Sequence, residues 1–264
     1  GELENKGIEF STNIKLFRKS DTGFDWSLFG NFAYNKNEVT ELPGDGIVEG
    51  FFTAIAEGER LGAYYLTPWL GVNPGNGSPL YLDIDGNVTD VYSPADRRFS
   101  DKGRDPLYTG GFGTRASYGN FSLNVLFSYA FEQYRYNRTL ALIEDPGFSQ
   151  LFNQSTNILT EWQQPGDITS IPSPSFSYGF DTQSTRYLED ASFVRLRNIK
   201  LAFNFPSDML KRNNFMKDAS IYLQGQNLLT FTKWQGYDPE GSVASGYFGY
   251  PTGRTMTVGL DITF

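Results

Sequence analysis

The 264 residues contain no cysteine and no histidine. Without thiols there are no disulfides and no thiolate chemistry; without imidazole there is no Ser-His-Asp triad and no His-bearing zinc site. A cationic surplus is missing as well. Lys and Arg number 22 against 30 Asp and Glu, a formal charge of −8, which opposes a nucleic-acid partner because that affinity comes from cations displacing counterions. Long apolar runs are also scarce. The longest uncharged stretch, Leu61 to Leu82, is broken by Pro68, Pro74 and Pro79, whereas a membrane helix needs about 20 mainly apolar residues. Any contact with lipid therefore falls to strands. No basic segment followed by an apolar one opens the chain, so an exported protein would be represented here by a mature or internal piece.

What is present points to β structure. Hydrophobic residues make up 39% and aromatics 16%, with 28 glycines, a composition of strands and turns. The clearest pattern is Thr255 to Phe264, where Met256, Val258, Leu260, Ile262 and Phe264 share one face and Thr255, Thr257, Gly259, Asp261 and Thr263 the other. Six more segments alternate in the same way: Ile8–Leu16, Phe24–Tyr34, Tyr108–Tyr118, Phe121–Phe131, a strand ending at Ile199, Leu201, Phe203 and Phe205, and Ala219–Phe231. Their apolar faces carry no charge, while Glu9, Lys15, Asp25, Arg115, Lys200 and Asp261 lie opposite. Asn227 breaks its apolar face and marks a bulge or the membrane interface.

Links between the segments alternate short and long. Ser20–Gly23, Gly119–Asn120 and Pro206–Lys217 are short; Glu38–Pro106, Tyr136–Tyr187 and Thr232–Gly253 are long. Bacterial transmembrane barrels have this asymmetry, with short periplasmic turns and long outer loops. The fold expected is all-β: an antiparallel transmembrane β-barrel portion of about seven spanning strands. Since single-chain bacterial barrels have an even number of strands, upstream strands are expected to complete it. Leu61–Val72 is expected to be a β-rich excursion of the first outer loop, and Asp145–Trp162 a short helix.

The runs Arg186–Ile199, Tyr222–Thr232 and Gly236-Tyr-Asp-Pro-Glu240 resemble the C-terminal part of the SusC/RagA family of TonB-dependent outer-membrane transporters. Asn5–Phe10, Trp26–Asn35, Trp162 with Pro165–Thr169 and Pro172, and Tyr250-Pro251 are similar to family patterns in the same order. The resemblance implies that residues 1–264 are the C-terminal part of a barrel of about 22 strands, its plug domain and N-terminal strands lying outside this chain. It implies import of oligosaccharides or oligopeptides, a SusD-like surface lipoprotein as lid, TonB as energy source through the absent N-terminal region, and a C-terminus in the periplasm. Leu260, Ile262 and Phe264 resemble an outer-membrane assembly signal. A passive porin or adhesin barrel and a soluble carbohydrate-binding β-sandwich are the alternatives.

Within the long links, Trp69, Trp162, Trp234, Tyr237 and Tyr247 are candidate ligand contacts, because aromatic faces stack on sugars or pack on peptide side chains; packing between loops is the competing role. Asp83, Asp85, Asn87 and Asp90 place oxygens as at the start of a calcium loop, but the twelfth position from Asp83 holds Pro94. An Asp-Gly hairpin turn explains the same residues. Glu189-Asp190 and Asp238 with Glu240 are carboxylate pairs of the kind glycosidases use; without a defined pocket they make no active site, and the chain reads as a non-enzyme.

Overall fold

The computed structural model describes residues 1–18, 23–44, 46–147, 153–176, 178–179, 182–210, 216–241 and 249–264. Seven strands form one antiparallel meander: β1 (Glu2–Phe17), β2 (Phe24–Glu41), β3 (Tyr108–Tyr118), β4 (Phe121–Phe131), β5 (Phe193–Asn204), β6 (Asp218–Thr232) and β7 (Thr255–Thr263). Each pairs only with its neighbours in this series within the sheet. The expected strands are therefore all present, and β1 and β2 run several residues further outward than the alternation shows. No helix among the described residues is long and apolar enough to cross a membrane.

Register turns the sequence alternation into two surfaces. Ile14, Leu28, Thr114, Val125, Ile199, Gly225 and Met256 lie opposite one another across all seven strands, as do Lys15, Ser27, Arg115, Asn124, Lys200, Gln224 and Thr257 in the adjacent row. Side chains alternate between faces along each strand, so the first row is apolar or small and the second polar. Among the described residues nothing covers the apolar face: Phe10 is 62% exposed and Val258 74%. A β-sandwich would pack a second sheet there, and among the described residues none does so. Toward the short links, Phe24, Tyr118, Phe121, Phe203, Ile221 and Leu260 form an aromatic-rich row on that face, as at the interface girdle of a barrel.

Gly119 (φ +57°) makes the two-residue turn between β3 and β4, a left-handed conformation that suits the strand twist of a tight hairpin. The Ser20–Gly23 turn lies mostly outside the described residues. All three long connections leave from the other end. The first, after β2, contains two small sheets: Val48–Glu49, Thr53–Ile55, Ala63–Leu66 and Arg98–Gly103 in one, Trp69–Val72, Pro79–Leu82 and Val88–Thr89 in the other. Leu61–Val72 thus lies in the first long connection and adds no strand to the wall. Among the described residues of the stretch expected to be helical, Asp145–Trp162, a 3-10 turn spans Thr156–Thr160, and just before the stretch an α-helix spans Arg138–Ile143, where Asn137 caps it by accepting from the Leu140 amide. Phe148, Leu151 and Phe152 lie outside the described residues.

Candidate functional site

In β5 the apolar residues change phase: Val194 and Leu196 occupy even positions, while Ile199, Leu201 and Phe203 occupy odd ones. A regular strand would turn either set toward the polar face. Instead Arg197 is skipped in both pairings, between Leu196 and Asn198, and Asn227 and Leu228 of β6 stand opposite it. Asn227 adopts φ +53°, a left-handed conformation that asparagine tolerates. The bulge keeps Val194 and Leu196 in line with Ile199, since they pair with Tyr129 and Phe127 on the apolar side. Its consequence is that Arg195 and Arg197 both turn to the inner face. On a lipid face each would cost about 2–4 kcal/mol at mid-membrane.

There the two arginines meet the Gly236–Glu240 segment of the third outer connection. Arg195, 3% exposed, donates to Thr230 Oγ1 (3.0 Å), Glu240 Oε2 (2.9 Å) and Asp238 Oδ1. Arg197 donates to Ser128 Oγ (2.7 Å) and to Glu240 Oε1. Asp238 also accepts from the Glu240 amide (2.9 Å) through Oδ1 and from the Thr252 amide (2.8 Å) through Oδ2. Burial pushes the Asp238 carboxyl up, but the Arg195 guanidinium and the two amides outweigh it and hold the group well below the usual carboxylate range.

The other two connections join this anchor. Arg135 donates to the Asp238 carbonyl (2.9 Å) and lies 5.5 Å from the Trp234 ring centroid. Glu189 accepts from the Gln235 amide and Asn137 Nδ2, both at 3.0 Å, and burial raises its pKa. Between the first and second connections, Phe52 stacks on Tyr136 at 3.9 Å within a core that includes Tyr64, Leu66, Ala141 and Tyr187. Nearby, Arg186 is enclosed by the rings of Trp69, Tyr178 and Tyr187 at 4.7, 4.9 and 5.0 Å and pairs with buried Glu144 at 3.4 Å. Burial raises the Tyr136 and Tyr187 hydroxyls and pushes Tyr81 and Tyr178 up to about 12. These phenols stay neutral and serve packing.

The candidate ligand contacts divide by environment. Trp69 sits under Arg186 and packs edge-on against Tyr81. Trp162 donates to the Pro74 carbonyl (3.1 Å) and its ring fills the space beside Gly77. Trp234 is 6% exposed, shut between Arg135 and Gly236. All three tie connections together, whereas Tyr237 is 63% exposed; Tyr247 lies outside the described residues. Asp83 spends Oδ1 on the Asn87 amide (2.7 Å) and Oδ2 on Asn87 Nδ2 (3.1 Å), with Gly86 at φ +87°. That is the Asp-Gly hairpin turn, and among the described residues no three acidic side chains gather as for a metal. Asp238 and Glu240 are each engaged by arginine, an arrangement for anchoring and not for acid/base work. Leu260 and Ile262 lie on the bare apolar face opposite Ile221 and Ala219, and Phe264 is exposed beyond them.

No family model matches the chain. Similar proteins nevertheless align along all of it: TonB-dependent receptor P3 of Formosa agariphila at 32% identity and TonB-dependent receptor SusC of Bacteroides thetaiotaomicron at 26%. The structure of the RagAB peptide transporter superposes with a TM-score of 0.90 at 28% identity over 99% of this chain. Over its whole length the chain is similar to a barrel segment of the SusC/RagA type. It spans 29% of receptor P3, 27% of SusC and 29% of the RagAB chain.

The meander matches the barrel wall of these SusC/RagA-type proteins, and the three runs that carry the likeness prove to be physical partners. Arg195 and Arg197 come from the first run, Asn227 and Thr230 from the second, Asp238 and Glu240 from the third. Alternation alone does not reveal this junction. The signal in the sequence is the step of three positions from Leu196 to Ile199, with an arginine on either side of Leu196.

Proposed function

We propose that this chain serves a SusC-type importer, forming wall, inner lining and outer loops for the passage of oligosaccharides or oligopeptides without covalent chemistry. The observation that carries the reading is the bare apolar outer face of a seven-stranded meander whose long connections all fold together at one end, combined with full-length similarity to TonB-dependent receptors. Two further solved structures, of the RagAB peptide importer in 'open-open' and 'closed-closed' states, support a peptide cargo. In this reading the partner is a SusD-like lipoprotein, TonB acts through the part of the polypeptide not represented here, and the short links and C-terminus face the periplasm. Placement of residues 1–264 in the C-terminal part of the barrel, with plug and remaining strands elsewhere, rests on the resemblance. Tyr237 is the favoured cargo contact, Trp69, Trp162 and Trp234 tie the connections together, and at Asp83–Asp90 the reading favours a hairpin turn over a calcium loop.

Energised uptake separates this reading from a passive porin. In cells carrying the full-length protein, uptake of labelled oligopeptides and oligosaccharides should depend on it and stop when the proton-motive force is collapsed. Uptake that survives collapse would assign a passive pore instead.

A further inference from the structure

The third connection is tied at several points, and each tie reaches a different part of the molecule. Asp238 holds both limbs of the connection, the early one through the Glu240 amide and the late one through the Thr252 amide, and takes the wall's Arg195 with the same carboxylate. Its carbonyl takes Arg135 from the second connection. The second connection in turn grips the first: the Thr67 and Thr185 amides exchange hydrogen bonds with the Gln183 and Thr67 carbonyls (2.9 and 3.0 Å), and Arg186 fills the ring enclosure that includes Trp69. Loops meant to move independently would share few buried contacts; low-stability segments are those with exposed backbone bonds and little packing. This outer assembly has the opposite character.

We propose that Arg195 and Arg197, turned inward by the β5 bulge, form a double key that locks the Gly236–Glu240 segment to the inner wall. The lock makes the described parts of the three long connections one rigid platform standing on β5 and β6. Two arginines suit this task because a planar guanidinium offers several fixed donors to two carboxylates at once, with a geometry lysine does not reproduce. The bulge is what makes the key possible, since without it a strand that keeps Ile199, Leu201 and Phe203 toward lipid would turn residues 195 and 197 to lipid as well and residues 194 and 196 inward. The rigidity is independent of the transport reading. Its use rests on that reading: the movements that admit and release cargo then take place outside this sector, which acts as a fixed seat.

The test is hydrogen exchange on the full-length protein in detergent or nanodiscs, reading peptides that cover 232–241 separately from peptides of β3 and β4. In the wild type the amides of Gln235 and Glu240 should exchange at least tenfold more slowly than in an unstructured peptide. Asp238→Ala should accelerate exchange through the third connection about tenfold or more, with β3 and β4 unchanged, and the charge-exchanged pair Arg195→Asp with Asp238→Arg should restore part of the protection. Paired spin labels at Ile84 and Tyr237 should give one narrow distance in the wild type and a broad one in Asp238→Ala. Unaltered exchange in Asp238→Ala, or a broad distance already in the wild type, would overturn the lock. Should Asp238→Ala fail to assemble, Glu240→Gln, which leaves the Arg195–Asp238 pair in place, is read in the same way. Loss of uptake with exchange intact would count against the importer reading alone.

Discussion

Neighbouring residues in this wall meet opposite environments, and single substitutions should show it. Leu123 lies in the bare row with Ala116, Leu201, Leu223 and Val258, whereas Asn124 stands between Arg115 and Lys200 on the inner face. Leu123→Arg, one row in from the aromatic girdle, should destabilise the wall by about 1–3 kcal/mol, between the interface and midplane costs, read as a lowered urea midpoint for loss of the heat-modifiable band on gels. Asn124→Glu should be neutral or mildly stabilising, since it faces two cations. Asn124→Arg, although it faces away from lipid, would line up three cations across adjacent strands and should weaken the pairing. A larger loss for Asn124→Glu than for Leu123→Arg would reverse the face assignment. Arg186 is a separate case. Its removal leaves Glu144 buried without its cation, a loss of about 3–5 kcal/mol when a buried pair is broken from one side. Arg186→Ala should therefore open the outer connections to limited proteolysis while the wall strands keep their protection.

Among the elements, β5 and β6 are the pair on which the outer assembly depends. The bulge and the left-handed Asn227 allow one strand to satisfy lipid and the anchor together; Asn227→Val, which disfavours φ +53°, should lower stability by about 1–2 kcal/mol. Acid response at the third connection follows from Asp238. Its folded pKa is depressed, so its contribution is fully present above the unfolded value of about 3.9 and is lost as pH falls through the folded value. Protection of the 232–241 amides through Asp238 should accordingly hold from neutrality down to about pH 4 and fail only below it. Release at pH 6 would show that another group controls the segment.

For the molecule as a whole, the wall and the outer assembly are stabilised by different solvents. The wall exposes its apolar side chains and depends on lipid to cover them; the excursions bury theirs around Tyr64, Tyr136 and Tyr187 as a water-soluble domain does. Dilution out of detergent should precipitate the wall while the excursions remain the last part to become protease-sensitive. At this scale the terminal strand has its own test. Removing Phe264 should lower the steady-state amount of full-length protein in the outer membrane, and an unchanged amount would leave β7 with a purely structural role.

The seven strands were legible in the linear chain because lipid imposes a period of two with no charge tolerated on one side, and a long strand repeats that signal five or six times. The position of Gly119 at a two-residue turn and the irregularity at Asn227 were readable for the same local reason. Contacts between distant segments have no such period. Nothing in the spacing of Arg195, Arg197, Asp238 and Glu240 says that they meet, because their encounter depends on a bulge that resets the face of one strand and on a loop folding back across it. Nor does the linear chain distinguish Trp234, closed beneath Arg135, from Tyr237 three residues later and open to solvent. Alternation is a property of each strand alone and survives in one dimension; burial and ion pairing belong to surfaces brought together, and only the folded chain decides them.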